Sequence, residues 1–292
     1  MGTDTVPRMV SFPRVQCRAK AMNYEVLTVK PMTARIGAEI EGVDLSKPLT
    51  NKIIDELHDA LMQHQVIFLR DQDLDHVRHK ELGRAFGELA IHSGVAGLAE
   101  HPEVVAIHAD ENSKFVAGEN WHSDLTCNEI PPMGSILYLP VVPEVGGDTM
   151  FASMYAAYEA LSPGMQTYLE GLQAVHDGEH VYRPIVNDPN KRFPCNTHPV
   201  VRTHPVTGRK GIFVNPSYTT EIVGLGKAES DGVLQMLYKH CANPNFHVRF
   251  RWQPKSVAFW DNRCTWHLAV WDYFPQVRSG FRVTVAETQR PA

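Results

Sequence analysis

The sequence predicts a mainly β fold with peripheral helices, an antiparallel barrel or sandwich, on three observations. Many apolar runs have the length of a short strand and end at turn-forming residues. Helical periodicity is confined to a few stretches that do not alternate regularly with strands, which disfavours a doubly wound parallel sheet. No period of solenoid length recurs, since THPV at 197–200 and again at 203–206 is too short an echo to define a unit. The chain has 292 residues, 43% apolar and 21% charged, enough to bury a full core. No linker composition divides it, so one elaborated domain is expected over 22–292.

The elements follow in order. YEVLTVK (24–30) and ARIGAEI (34–40) read as strands parted by Pro31 that pair with each other. Ile53, Ile54, Leu57, Ala60 and Leu61 recur at helical spacing behind Thr50, which predicts a capped helix over 51–64. QVIFLR (65–70) is a core strand, and 73–86 a helix ending before Gly87. From Gly87 to Asn120 the chain is irregular, with HPEVVAIHA (101–109) as its one clear strand, and reads equally as a loop over a pocket or as a surface excursion. GSILYLP (134–140), GLQAVH (171–176), VVRTH (200–204), GIFVN (211–215), HVRFRW (247–252), SVAFWD (256–261) and FRVTVAE (281–287) are further strands. Short helices are expected at 155–161 and from Ser162 with Pro163 in the first turn, and a longer one over 229–240.

Charge and composition exclude several classes. With 28 basic and 33 acidic residues the net charge is −5, so no overall basic field attracts nucleic acid or an anionic membrane. The longest strongly apolar run, from Ser135, holds two prolines and is far shorter than the ~20 residues a membrane helix needs. Cys17, Cys127, Cys195, Cys241 and Cys264 form no C-x-x-C pair and read as free thiols of a reducing, cytoplasmic protein. Residues 1–21 carry Arg8, Arg14, Arg18 and Lys20 against Asp4, which reads as a disordered leader or appended remnant, with an organellar transit segment as the alternative.

WHSD (121–124) carries the chemistry. In an extended segment His122 and Asp124, two residues apart, face one side and converge on one ion. His267 in WDNRCTWH (260–267) can complete two histidines and one carboxylate, a set that leaves open positions on iron(II) and that zinc also accepts. Trp121 and Trp266, adjacent to ligands, point away into the core. A metal-binding barrel without catalysis, or a zinc hydrolase, stays open on the residues alone.

HSD (122–124), GGDT (146–149), WDNRCTWH (260–267), Arg278 and Arg282 together resemble the taurine dioxygenase family of iron(II)- and 2-oxoglutarate-dependent oxygenases. GAEIEGVDL (37–45), HPVVRTHPVTG (198–208), VNPSYTTEI (214–222) and RWQPKSVAFWDNR (251–263) extend the likeness over about residues 24–290. The resemblance implies a double-stranded β-helix, a cupin-like jelly roll, with His122, Asp124 and His267 on iron(II). It implies that Thr149 and Arg278 hold the distal carboxylate of 2-oxoglutarate, a role suited to the rigid donor fork of arginine. The implied reaction consumes O₂ and 2-oxoglutarate, forms succinate and CO₂, and hydroxylates an sp³ carbon.

The resemblance also places Arg282 on the anionic group of the primary substrate. Even spacing puts Arg278 and Arg282 on one strand face, and Phe281 on the other. His92 keeps a sulfonate-contacting histidine, whereas Val95, Gly118 and Tyr218 replace a tyrosine, an asparagine and a phenylalanine of the taurine enzyme, and an aromatic is missing near Gly178. These departures predict a wider pocket for a small organic anion such as an amino acid derivative, an aryloxyalkanoate or an alkyl sulfonate or sulfate. Taurine or alkylsulfonate oxygenation with sulfite release is the alternative. Neither nucleic acid nor membrane is an expected partner, and a homo-oligomer is allowed.

Overall fold

Val66–Leu69 and Ser256–Asp261 are buried along their whole length, as strands covered on both faces must be. They pair antiparallel at the centre of the largest sheet. The computed structural model describes residues 24–92, 95–184, 186 and 188–292, so the leader expected at 1–21 lies outside the described residues.

In chain order the elements are β1 (Thr28–Pro31), β2 (Ala38–Glu41), α1 (Asn51–His64), β3 (Val66–Leu69), α2 (His76–Arg84), β4 (Leu89–Ala90), β5 (Val104–Ala109), β6 (Gly134–Val141), β7 (Thr149–Ser153), α3 (Met154–Glu159), α4 (Pro163–Leu169) and β8 (Gln173–Asp177). There follow α5 (Glu179–Tyr182), β9 (Cys195–Pro199), β10 (Val201–Thr203), β11 (Lys210–Ile212), β12 (Thr219–Ile222), α6 (Lys227–Cys241), β13 (His247–Phe250), β14 (Ser256–Asp261), β15 (Thr265–Ala269) and β16 (Arg278–Val285). The large sheet runs β1-β2-β3-β14-β6-β16-β4, with β5 also paired to β16. A smaller sheet, β13-β7-β15, lies opposite, and β12-β8-β9 and β10-β11 extend the molecule beyond it. This is the mainly antiparallel β architecture that the sequence pattern predicts and the double-stranded β-helix that the family resemblance implies.

Alternation along the large sheet sorts its side chains into two cores. Val257, Phe259, Ile136 and Tyr138 point outward and are covered by Leu57, Ala60 and Leu61 of α1 and Leu82 of α2. Ala258, Trp260, Leu137 and Leu139 point inward and meet Phe151, Val248 and Phe250 of the small sheet. Phe68 stacks on Phe250 with ring centroids 3.9 Å apart, fixing the spacing of the two layers. A third core, including Ala152, Trp266 and Leu237, joins the outer face of the small sheet to α3, α4 and α6.

Local chemistry sets the boundaries. Thr50 accepts from the Ile53 N–H and starts α1 as expected, while the Asp75 side chain accepts from Arg78 N–H and starts α2 at His76 instead of residue 73. The irregular passage 87–120 holds two strands, because both Leu89–Ala90 and Val104–Ala109 pair with β16. The 260–267 region is two strands with a turn between them. β7, β9 and β12 were not expected; their sequences TMFAS, CNTHP and TTEI are short or polar, and cross-strand pairing alone decides them.

Candidate active site

The two histidines of the expected triad sit directly opposite one another. His122 N–H donates to the His267 carbonyl and His267 N–H to that of His122, at 3.1 and 2.7 Å, an isolated antiparallel bridge that brings the imidazole centroids to 4.0 Å. Asp124 does not lie in a strand with His122; it enters a turn whose next residue, Leu125, has φ of +53°. Its Oδ1 nevertheless lies 3.6 Å from His122 Nε2 and 3.7 Å from His267 Nε2. The three side chains are buried and their ligand atoms fall within 4.8 Å of one another.

This donor set fits a divalent metal. His122 Nδ1 lies 2.8 Å from the Asn120 carbonyl and donates to it, which leaves the Nε2 lone pair facing Asp124. Burial, and then the neighbouring His122, push the titration of His267 well down, so it is neutral. Burial opposes ionisation of Asp124, but the Arg282 guanidinium outweighs it and holds the carboxyl well below its ordinary range. The Ser135 hydroxyl of β6 donates to Asp124 Oδ2 at 2.8 Å, leaving Oδ1 toward the histidines. Ser135 was missed by the sequence reading, which saw only a strand there.

A second cluster, His204, Asp261 and Cys264, is also buried. It is closed to a metal: Arg263 Nε and Nη2 take both Asp261 oxygens at 2.9 and 2.7 Å, and His204 Nε2 adds 2.9 Å to Oδ2.

Thr149 and Arg278 come together as expected. On β15 and β7, His267 pairs with Phe151 and Ala269 with Thr149, so Thr149 shares the ligand's face about 7 Å along the strand. Arg278 is 3% exposed; its Nε donates to the Gly147 carbonyl at 3.0 Å and its Nη2 to Thr149 Oγ1 at 3.3 Å. No carboxylate among the described residues pairs with it, and burial pushes its titration down to about 10. A buried, unpaired guanidinium calls for an anion. Trp252 Nε1 donates to the same Thr149 oxygen at 2.9 Å, so both lone pairs are used and the hydroxyl proton is left to donate outward. Gly147, at φ of +71°, is required here, since a Cβ would strike Pro143 at 2.9 Å and crowd Tyr273 and Arg278.

Arg282 shares the face of Arg278, in unbroken register with β5. Its Nη1 donates to Asp124 Oδ1 at 3.0 Å, and its buried Nε has no partner among the described residues. His92 lies within reach of both charges: burial, and then Arg282, push it down to about 4 against the pull of Asp124, so it stands neutral. Val95 donates its backbone N–H to His92 Nδ1 at 3.0 Å while its side chain is exposed. Gly118, at φ of +86°, leaves only 3.0 Å between a would-be Cβ and His122 Cε1. Phe281 turns away from the site onto His76 of α2, and Trp266 donates Nε1 to the Val214 carbonyl in the core, both as expected.

One part of the pocket reading is corrected. The aromatic missing at Gly178 does not leave room, because a Cβ there would meet Cys127 Sγ at 3.1 Å, Pro194 O at 3.2 Å and Phe193 Cβ at 3.3 Å. Tyr182, one turn further along α5, occupies that side instead. Its hydroxyl lies 3.0 Å from that of Tyr218, its ring is edge-on to His92, and it feels both Asp124 and Arg282.

Residues 28–284 match the family model described as "Taurine catabolism dioxygenase TauD, TfdA family". The chain belongs to the TauD/TfdA dioxygenase family. A Pseudomonas putida alpha-ketoglutarate-dependent sulfate ester dioxygenase is 34% identical over 89% of this chain and 89% of the relative. The Saccharomyces cerevisiae alpha-ketoglutarate-dependent sulfonate dioxygenase is 31% identical over 92% and 69%. A taurine dioxygenase structure from Burkholderia xenovorans superposes with a TM-score of 0.81 at 36% identity, covering 91% of each chain. This TauD/TfdA member is an iron(II)- and 2-oxoglutarate-dependent dioxygenase.

Proposed function

We propose that the enzyme hydroxylates an sp³ carbon of a small organic anion docked at Arg282, with sulfonates and sulfate esters as the first candidates and amino acid derivatives behind them. One observation carries this reading: a largely buried arginine beside the triad, its Nε without a partner among the described residues and a neutral histidine next to it. Iron(II) held by His122, Asp124 and His267 would supply O₂ activation coupled to decarboxylation of 2-oxoglutarate. Arg278 and the Thr149 hydroxyl bind the distal carboxylate of that co-substrate and set its direction along β7. Arg282 sets the substrate's charged end near the metal, and His92, Gly118, Tyr218 and Tyr182 bound its body, with Val95 at the rim. The relatives' sulfonate and sulfate ester substrates favour sulfur oxyanions over carboxylates. Free thiols at Cys127, Cys195, Cys241 and Cys264 fit a reducing cytoplasm, and no helix among the described residues is long and apolar enough to cross a membrane.

The test is succinate formation coupled to product analysis over taurine, longer alkyl sulfonates, alkyl sulfates, aryloxypropionates and N-substituted amino acids. Anions larger than taurine are expected to be turned over best, and Arg282→Ala to cost about 2–5 kcal/mol in kcat/KM on each good substrate. Equal use of an uncharged isostere, or undiminished efficiency in Arg282→Ala, would remove the anion anchor. Preference for taurine, with stoichiometric sulfite, would restore the narrower function.

A further inference from the structure

Tyr273 lies four residues after Ala269, the last residue of β15, and is 2% exposed, yet its hydroxyl has no hydrogen-bond partner among the described residues. Buried hydroxyls are rarely left this way, since an unmade bond costs about 1–3 kcal/mol. Its ring packs with Ala109 and Val116, with Ala269 and Trp271 against them, and the only polar side-chain group in that cluster besides its own hydroxyl, the Trp271 N–H, makes no hydrogen bond among the described residues. Arg278 also stands beside the ring. The Cβ position of Gly147 is 3.2 Å from Tyr273 Cδ1 and 3.3 Å from Arg278 Cδ, so the ring and the arginine stem flank the same glycine.

The Arg278 site is rich in donors and short of acceptors. Arg278 has N–H groups beyond the two that reach Gly147 and Thr149, the Thr149 hydroxyl has its lone pairs occupied, and Tyr273 brings an unused O–H. A carboxylate, with about four lone-pair directions and no proton, matches such a set. We propose that Tyr273 is a positioning residue for the co-substrate, its hydroxyl donating to the distal carboxylate of 2-oxoglutarate beside Arg278 and Thr149. This rests on the reading of Arg278 and Thr149 given above. Burial raises the Tyr273 titration against the pull of the nearby Arg278, so the phenol stays protonated and able to donate.

The experiment is calorimetric titration of the iron(II)-loaded full chain under nitrogen with 2-oxoglutarate and with 2-oxopentanoate, which keeps the 2-oxo acid head and lacks the distal carboxylate. In Tyr273→Phe the Kd for 2-oxoglutarate is expected to rise about tenfold, and that for 2-oxopentanoate to stay within about twofold. The Tm of the ligand-free variant should equal or exceed that of wild type, because an unsatisfied group has been removed. Unchanged 2-oxoglutarate binding in Tyr273→Phe, with strong loss in Arg278→Ala, would overturn the role of Tyr273 and leave Arg278 in place. Unchanged binding in Arg278→Ala would overturn the underlying reading and the inference together. Equal losses for both ligands, or a Tm lowered by several degrees without ligand, would show that the hydroxyl serves the fold and would overturn the inference.

Discussion

Asp124 serves different partners with its two oxygens. Oδ2 is tied to Ser135 on the large sheet, while Oδ1 faces both imidazoles and accepts from Arg282. Asn262, held by Trp260 Nε1, accepts the Asp124 backbone N–H at 3.3 Å and donates to Ser135 at 3.3 Å, closing a support around the carboxylate. Partners of this kind typically carry 10–100-fold of metal affinity. Ser135→Ala is therefore expected to weaken iron(II) binding about tenfold with the fold intact, whereas His122→Ala, Asp124→Ala or His267→Ala should abolish it. Calorimetric metal titration checks this, and undiminished affinity in Ser135→Ala would show that the turn alone orients Asp124. The contrast also marks what a sequence can show at this scale. His122 and Asp124 announce themselves as an H-x-D pair, but Ser135, Asn262 and Tyr182 acquire their roles only when distant segments meet. Gly178 misled for the same reason: a missing ring suggests space, and neighbours from three other positions fill it.

At the scale of elements, the turn between β14 and β15 is what places His267. Asp261 ends β14; its carbonyl accepts from the Thr265 hydroxyl at 2.7 Å, and its carboxylate gathers Arg263 and His204. Arg263 also reaches Glu287 at 3.0 Å, so the turn is fastened to the segment just after β16 by charges that are almost fully buried. Breaking such a pair leaves a charge uncompensated and costs about 3–5 kcal/mol. Asp261→Asn is expected to destabilise by that amount in denaturant unfolding, at unchanged m-value. A loss under about 1 kcal/mol would mean that Glu287 alone satisfies Arg263. The sequence revealed SVAFWD (256–261) as a strand with the bounds of β14, whereas the start of β15 inside WDNRCTWH stayed hidden because the turn before it holds neither glycine nor proline. Helices were more legible, since Thr50, Ser162 and Pro163 are local signals for local structure, and the strands missed at β7, β9 and β12 depend on partners far away in the chain.

The whole molecule brings the site together from two sheets, with Ser135 and Arg282 on one and Thr149 and His267 on the other, so activity requires both layers packed. Buried histidines are distributed through the same packing. His79 of α2 reaches the Ile136 carbonyl of β6 at 3.1 Å, facing His76 and the edge of Tyr138, and burial pushes it down to about 4. His176 of β8, beside Thr126, His198 and Phe213, is pushed by burial down to about 3. Both folded values lie below the unfolded value of about 6.5, so between them the unfolded chain binds more protons and stability rises with pH. The contribution is complete above about pH 6.5 and is lost as pH falls toward the folded values. Two such histidines should cost about 2 kcal/mol between pH 6.5 and 5.5. That window lies above the range in which Asp261, held well down against its burial by Arg263 and His204, begins to take up its proton. Urea unfolding of the iron-free enzyme at pH 7.5, 6.5 and 5.5 separates the outcomes, because metal ligation would add its own proton linkage. A stability that is flat from pH 7.5 to 5.5 would require these imidazoles to be charged in the fold, against the apolar packing and the carbonyl acceptor that surround them.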